Sequence, residues 1–201
     1  MHISDGVLSL PVLVGGGVIA AAGVAVGLKR MNYDNIMTTA LLSSAFFVAS
    51  LVHVPVGPVS VHLLLNGLLG MILGWGCIPA IAIALFLQAV LFQYGGLTVL
   101  GVNIVVMAGS AMVSYLLFGS WLKTPGKKRL IGAFLGGSLA VLMAALFMVV
   151  ALVSTSESFL GAAKAVAVAH IPIMIIEGFI TMFTVNFIGR VQPELLTDAA
   201  N

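Results

Sequence analysis

The chain has 201 residues, of which 61% are hydrophobic and only 7% are charged, and its mean hydropathy is +1.23. A soluble domain carries about 25% charged residues, so this composition excludes a water-soluble globular protein. The net charge of +2 is too small to indicate a nucleic-acid partner. The apolar runs are continuous rather than alternating, which favours membrane helices over a transmembrane barrel. The sequence therefore predicts an all-α polytopic membrane protein in the lipid bilayer.

Apolar segments separated at prolines, glycine clusters and charges predict seven transmembrane helices in a single domain, residues 1–201. About 20 apolar residues are needed to cross the hydrocarbon core. The predicted spans lie near residues 7–28, 36–54, 59–75, 77–94, 99–122, 130–153 and 166–188. Only residues 75–79 separate spans three and four, and both spans are short. Span three is therefore a candidate for a partly re-entrant segment.

The positions of the basic residues predict the orientation. With seven spans, the basic residues that follow spans one, five and seven all lie on one face: Lys29, Arg30, Lys123, Lys127, Lys128, Arg129 and Arg190. Only Lys164 lies on the opposite face. The positive-inside rule makes the basic face cytoplasmic, so we expect the N-terminus outside and the C-terminus inside. Residues 1–28 contain no Lys or Arg and therefore do not predict a cleaved signal peptide.

All four histidines fall on the predicted outer face: His2, His53, His62 and His170. Imidazole is a preferred ligand of nickel, cobalt, copper and zinc, so this side is the candidate metal-binding side. For any single histidine the alternative is an interfacial ring bonded to backbone or water, and this alternative is favoured for His53. For His170 a packing role and a role at the metal site are equally open.

The N-terminal pair Met1 and His2 forms a candidate chelate. The terminal amine, the His2 amide nitrogen and the His2 ring nitrogen close fused rings on one ion, and a ring nitrogen of His62 completes a square plane. Tetragonal nitrogen ligation favours Ni(II) or Cu(II). The alternative is a disordered terminus, as is usual for chain ends. However, the apolar segment begins at residue 7, which holds residue 2 close to the membrane surface.

Buried polar residues surround this candidate site. Glu177 follows His170 by seven residues, about two helical turns, so the two residues share a face. An intramembrane carboxylate indicates function or pairing. Asn66 and Asn103 are candidates for supporting the metal ligands, although hydrogen bonding between helices is the favoured alternative for such amides.

Several catalytic motifs are missing from the sequence. It contains no Walker A, HExxH or GxSxG motif, which predicts a binding or transport component without its own ATPase. Two alternatives remain open at this point. One is an intramembrane metalloenzyme that uses the histidines and Glu177, and the other is a haem protein with paired histidines.

The chain resembles the CbiM/NikM family, the substrate-binding membrane components of energy-coupling-factor transporters for cobalt and nickel. The resemblance rests on the order and spacing of MHISDGVL at 1–8, GPVSVH at 57–62, QAVLF at 88–92, GGLT at 95–98, GVN at 101–103, HIP at 170–172, EG at 177–178 and RVQPELL at 190–196. The sequence departs from the family pattern in two places, both close to candidate metal-site residues. No Gly-Gly-Thr-like run precedes His62, and no second Asn follows Asn103.

The resemblance implies that Met1, His2 and His62 bind the metal, and that Ni²⁺ or Co²⁺ is transported cargo rather than a cofactor. It does not choose between the two ions. It also implies a prokaryotic cytoplasmic membrane and three kinds of partner: a transmembrane coupling protein, two ATP-binding cassette ATPases and a small accessory membrane protein. Ala45 and Ala49 provide the small-residue spacing at which such a partner docks, with packing inside the bundle as the alternative.

Overall fold

The computed structural model describes residues 3–51, 53–56 and 59–197, and for 53–56, 59–62, 163 and 197 it describes the backbone alone. The described elements are α1 (Leu10–Arg30), α2 (Ile36–Ala49), β1 (His53–Val56), β2 (Val59–His62), α3 (Asn66–Leu73), α4 (Cys77–Phe92), α5 (Leu100–Leu122), α6 (Lys127–Thr155), α7 (Leu160–Val191) and α8 (Glu194–Thr197). Single 3₁₀ turns precede α2, α4 and α7.

Helix α6 packs mainly against α7 and α5, and α5 in turn packs against α1, α3 and α4. Small residues make these close contacts possible, as in other membrane helices. Gly67 of α3 shows the effect most clearly. A Cβ atom at this position would lie 2.8 Å from the Gly136 carbonyl oxygen and 2.9 Å from the Ala140 Cβ. Because both are rigid parts of α6, α3 can approach α6 only with glycine here.

Helix α3 begins in the middle of the bundle rather than at one of its ends. Its eight residues extend about 12 Å, which is less than half of a hydrocarbon core of about 30 Å. Asn66, its first residue, contacts Ser110 midway along α5. The chain turns at Gly74, where φ is +53°, and α4 begins beside the end of α1 at Gly27. The other end of α4 leads into residues 95–99, which contact Asp5. The predicted third span is therefore short, as the sequence suggested.

In the described part of the chain the seven predicted spans correspond to seven helices of eight or more residues, but three helix boundaries differ from the predicted ones by five or more residues. One of them is the start of α7, at Leu160 rather than near residue 166. Residues 59–62 form strand β2 rather than the start of a helix, and span two ends as helix α2 at Ala49 rather than at residue 54. The sequence explains this difference. Valines alternate with other residues on both sides of Gly57 and Pro58, and alternating β-branched residues around a Gly-Pro pair favour a hairpin over a helix.

Five described segments are long and apolar enough to cross a membrane: Leu10–Arg30, Asn66–Phe92, Leu100–Leu122, Lys127–Thr155 and Glu157–Val191. One of these contains both α3 and α4. Helix α2 has only 14 residues, or about 21 Å of helix. The multi-pass helical architecture is confirmed, while the orientation of the bundle in the membrane stays a prediction.

Candidate metal-binding site

Residues 3–9, which we call the N-terminal arm, are fixed on the bundle at Ile3. This side chain is only 3% exposed and packs with Leu8 against α5 and α6. The Ile3 amide donates to Asn103 Oδ1 over 3.1 Å, and Asn103 Nδ2 donates back to the Ile3 carbonyl over 3.1 Å. One carboxamide thus satisfies both backbone groups of a buried residue. The residue that follows His2 is therefore held on α5.

Asp5 holds the arm at a second point. Its carboxylate accepts hydrogen bonds from Thr98 Oγ1 at 2.5 Å and from the Val99 amide at 3.3 Å, while its own amide donates to the Gly95 carbonyl at 2.8 Å. Val99 directly precedes α5, so the Asp5 carboxylate lies at the start of this helix, where a negative charge is favoured. Asp5 was not among the site residues predicted from the sequence. The available signal was an acidic residue near Met1 and His2, together with a helix start lacking a local Ser, Thr, Asp or Asn at its cap position.

Replacing Asp5 with Ala should weaken Ni²⁺ binding about 10-fold, because loss of the residues that orient metal ligands costs about 10–100-fold in affinity. Thr98→Val should produce a smaller loss in the same direction, since only one of the three hydrogen bonds disappears. Ser4→Ala is the matched control, because Ser4 is an exposed neighbour in the same arm. Isothermal titration of the purified variants with Ni²⁺ measures the effect. Equal affinities of Asp5→Ala and Ser4→Ala would contradict a role for Asp5 in positioning the arm.

Glu177 of α7 holds the segment that follows β2. Its carboxylate is 1% exposed and accepts hydrogen bonds from the Leu64 amide and, at 3.2 Å to each oxygen, from the Leu65 amide. Leu65 adopts a left-handed conformation with φ of +50°, which turns the chain from the hairpin into α3. The predicted intramembrane carboxylate thus binds backbone amides two and three residues after His62.

Asn66 connects the start of α3 to α5. Its Nδ2 donates to Ser110 Oγ over 2.7 Å, and this hydroxyl donates to the Met107 carbonyl over 2.8 Å. Both side chains are fully buried. For Asn66 the structure therefore shows the expected alternative, a hydrogen bond between helices. This bond fixes the segment after His62 at a second point, one residue beyond the amides held by Glu177.

His170 lies on the Glu177 face of α7, as the seven-residue spacing predicted. The buried Ile173 lies between them on this face, and His170 Nδ1 is 2.6 Å from the Val166 carbonyl oxygen of the same helix. In α2, Ala45 lies on the exposed face and Ala49 is half-buried. Ala45 is thus open to an approaching helix, whereas Ala49 is partly covered by the bundle.

The proposed ligands themselves lie largely outside the described part of the chain. Met1 and His2 fall outside the described residues, and His62 is described by its backbone in β2. Among the described side chains, no three His, Cys, Asp or Glu residues converge on a metal-sized site. The ligand set of Met1, His2 and His62 therefore stays a prediction, while the two segments that adjoin these residues have defined anchors.

The described residues thus form a multi-pass helical bundle with an N-terminal arm fixed on α5. A family model described as the cobalt uptake substrate-specific transmembrane region matches residues 2–195. The chain belongs to this family, CbiM. Membership makes it a membrane component of cobalt or nickel transport and not an enzyme, so the metalloenzyme alternative is set aside.

Individual relatives extend the comparison over the full length of the chain. A Haemophilus influenzae protein to which metal transport has been provisionally assigned is 42% identical, covering 100% of this chain and 99% of the relative. The cobalt transport protein CbiM of Kyrpidia tusciae is 30% identical, covering 100% of this chain and 88% of the relative. The crystal structure of a truncated transition metal transporter superposes with a TM-score of 0.81 at 26% identity, covering 94% of this chain and 98% of that chain.

Proposed function

We propose that this chain is the substrate-binding component of an energy-coupling-factor importer for Ni²⁺ or Co²⁺. The ion binds on the outer side of the bundle to the Met1 amine, the amide and ring nitrogens of His2 and a ring nitrogen of His62. The observation that carries this proposal is the pairing of the Ile3 backbone with Asn103. It fixes the peptide directly after His2 at a buried position, whereas a chain end without such contacts is usually disordered.

The direction of the N-terminal arm supports the same proposal. Asp5 contacts Val99, and Ile3 contacts Asn103, one helical turn further along α5. The arm therefore advances into the bundle as it approaches its first residue. Two extended residues cover at most about 7 Å, so the proposed ion site must be within reach of Ile3. The next turn of α5 is that of Met107 and Ser110, where Asn66 holds the start of α3.

The two segments that supply the ligands are fixed to different helices. Asn103 of α5 holds the residue after His2, and Glu177 of α7 holds the residues after His62. Anchoring each segment in advance lowers the ordering entropy that would otherwise oppose metal binding. The His2 amide must lose its proton to bind the ion, so binding releases a proton and strengthens as the pH rises.

The partners follow from the family. A transmembrane coupling protein docks on the exposed face of α2 that contains Ala45, beside the exposed side chains of Met37, Leu41 and Val48. Two ATP-binding cassette ATPases supply the energy, and a small accessory membrane protein completes the importer. The chain itself has no Walker A sequence, so it binds and admits the ion without hydrolysing ATP.

The purified chain reconstituted alone in liposomes should bind ⁶³Ni²⁺ but should not concentrate it, because no partner couples uptake to ATP. Co-reconstitution with the coupling protein and both ATPases should produce ATP-dependent accumulation. The matched control is the same complex supplied with a non-hydrolysable ATP analogue. ATP-driven accumulation by the chain without any ATPase would contradict the proposed division of labour.

The proposed orientation places the N-terminus outside and Lys127 in the cytoplasm. In a variant with Cys77→Ser and Lys127→Cys, the new thiol should resist a membrane-impermeant maleimide in intact cells and react after permeabilisation. Ser158→Cys in the same background is the control, since residue 158 follows α6 at the opposite end and should react in intact cells. Rapid labelling at position 127 in intact cells would reverse the orientation.

A further inference from the structure

The hairpin between α2 and α3 brings two histidines to the same position of its ladder. Its register pairs His53 with His62, Val54 with Val61, Pro55 with Ser60 and Val56 with Val59. His53 is thus the direct cross-strand partner of His62. The sequence alone favoured an interfacial role for His53, and the nine-residue spacing from His62 does not show that the two histidines oppose each other.

The register also shows that His53 and His62 form a non-hydrogen-bonded pair of the antiparallel ladder. Pro55 has no amide proton and cannot exchange both hydrogen bonds with Ser60, so this pair occupies a non-hydrogen-bonded position. Such positions recur at every second pair, which makes His53 and His62 a pair of the same class. The Cα atoms of non-hydrogen-bonded pairs are about 4.5 Å apart, closer than those of hydrogen-bonded pairs.

Alternation gives the two faces of the hairpin opposite chemistry. Successive residues of a strand belong to opposite faces. One face therefore contains four valines, at positions 54, 56, 59 and 61. The other face contains His53, Pro55, Ser60 and His62. Both imidazole residues thus belong to the polar face, at the end of the hairpin where its strands join the bundle.

Both strands of the hairpin are anchored next to the histidine pair. Ser50, three residues before His53, is 2% exposed and accepts a hydrogen bond from Gln88 Nε2 at 2.6 Å. Leu64, two residues after His62, is 1% exposed and donates its amide to Glu177. The pair therefore lies at the fixed base of the hairpin, near the α3 start where the N-terminal arm is expected to bring His2.

We propose that His53 and His62 form a two-imidazole capture site that binds a divalent transition-metal ion from outside before the N-terminal arm completes its coordination. The proposal rests on the proposed function, because His62 belongs to both sites. Two neutral imidazoles favour ions of the Ni²⁺ and Co²⁺ class over Mg²⁺ and Ca²⁺, which prefer oxygen ligands. Water fills the remaining positions of the captured ion, and the amine and His2 nitrogens then displace it.

The capture site is tested in the full chain with one glycine added before Met1, which removes the terminal chelate. Titrated with Ni²⁺, this extended protein should retain one weaker site. His53→Ala in the extended protein should lower the remaining affinity by about 10-fold or more, the equivalent of about 1.4 kcal/mol. Ser60→Ala, on the same hairpin face, is the matched control and should leave it unchanged. His53→Gln repeats the test with a longer polar side chain if the alanine variant fails to fold.

Equal Ni²⁺ affinity of the extended protein with and without His53 would overturn the capture site, and so would the absence of any residual site. Failure of the proposed function gives a different result: the glycine extension itself would then bind Ni²⁺ as tightly as the parent. With the native terminus, His53→Ala should slow Ni²⁺ association in rapid mixing while changing the equilibrium affinity less than His62→Ala. An unchanged association rate would also contradict the capture site.

Discussion

A single glycine added before Met1 should raise the Kd for Ni²⁺ on the order of 100-fold, about 2.7 kcal/mol of binding free energy. The extension converts the terminal amine into an amide and moves the new amine out of the chelate rings. His2→Ala should have an effect of similar size because it removes a ring nitrogen from the same ion. His62→Ala opens the fourth position and should also remove most of the binding.

Isothermal titration with Ni²⁺ and Co²⁺ measures these effects on purified protein. A variant with a glycine added after Asn201 is the control, because it lengthens the chain by one residue and leaves the N-terminal arm unchanged. The thermal midpoint of all variants should stay close to that of the parent, since Ile3, Asn103 and Asp5 keep the arm attached. If the N-terminal glycine variant binds either ion as tightly as the parent, the terminal amine is not a ligand.

Glu177→Ala should give the largest combined loss of stability and affinity among the residues outside the proposed ligand set. The two amides of Leu64 and Leu65 would lose their buried acceptor, and each unsatisfied buried group costs about 1–3 kcal/mol. The segment after His62 would also lose its anchor on α7, which should weaken Ni²⁺ binding about 10–100-fold. Glu177→Gln should have an intermediate effect because the amide retains one acceptor oxygen.

Thr181→Val is the matched control for Glu177. Thr181 lies one turn further along the same face of α7, is fully buried, and its hydroxyl has no hydrogen-bond partner among the described residues. Valine keeps the branched shape and contacts no amide of the hairpin segment, so Ni²⁺ affinity should match that of the parent. The comparison uses the denaturation midpoint and the Kd of each variant. Parent-like affinity in folded Glu177→Ala would show that Glu177 does not position His62.

The helical bundle was predictable because its physical cause is local and strong. The apolar segments are long enough to cross a bilayer, and a chain with only 7% charged residues cannot cover its surface in water. Predicted spans one, five, six and seven each match a described segment long enough to cross a membrane, and a fifth such segment contains spans three and four together. The hairpin was not predicted, although its signal is present. The valines around Gly57 and Pro58 alternate with other residues, which indicates strands. They also raise the mean hydropathy of the segment enough to predict a membrane span, and mean hydropathy does not distinguish alternating from continuous apolar residues.

The polar residues that anchor the two segments could be singled out from the sequence by residue type, but their contacts could not. Intramembrane polar residues indicate function or pairing, and this argument identified Asn103 and Glu177. Their partners are backbone groups of Ile3, Leu64 and Leu65, and backbone groups leave no signature in a sequence. The pairing of His53 with His62 is hidden in the same way, since the register of two strands is set by their backbone groups.

The central claim is that nitrogen atoms of Met1, His2 and His62 surround one Ni²⁺ ion in a plane. Nickel K-edge X-ray absorption on the protein loaded with one equivalent of Ni²⁺ tests it most directly. The account predicts the edge structure of square-planar Ni²⁺ with a shell of four nitrogen donors. Scattering from the imidazoles of His2 and His62 should also appear in the loaded parent. A six-coordinate spectrum dominated by oxygen donors in the loaded parent would contradict the account.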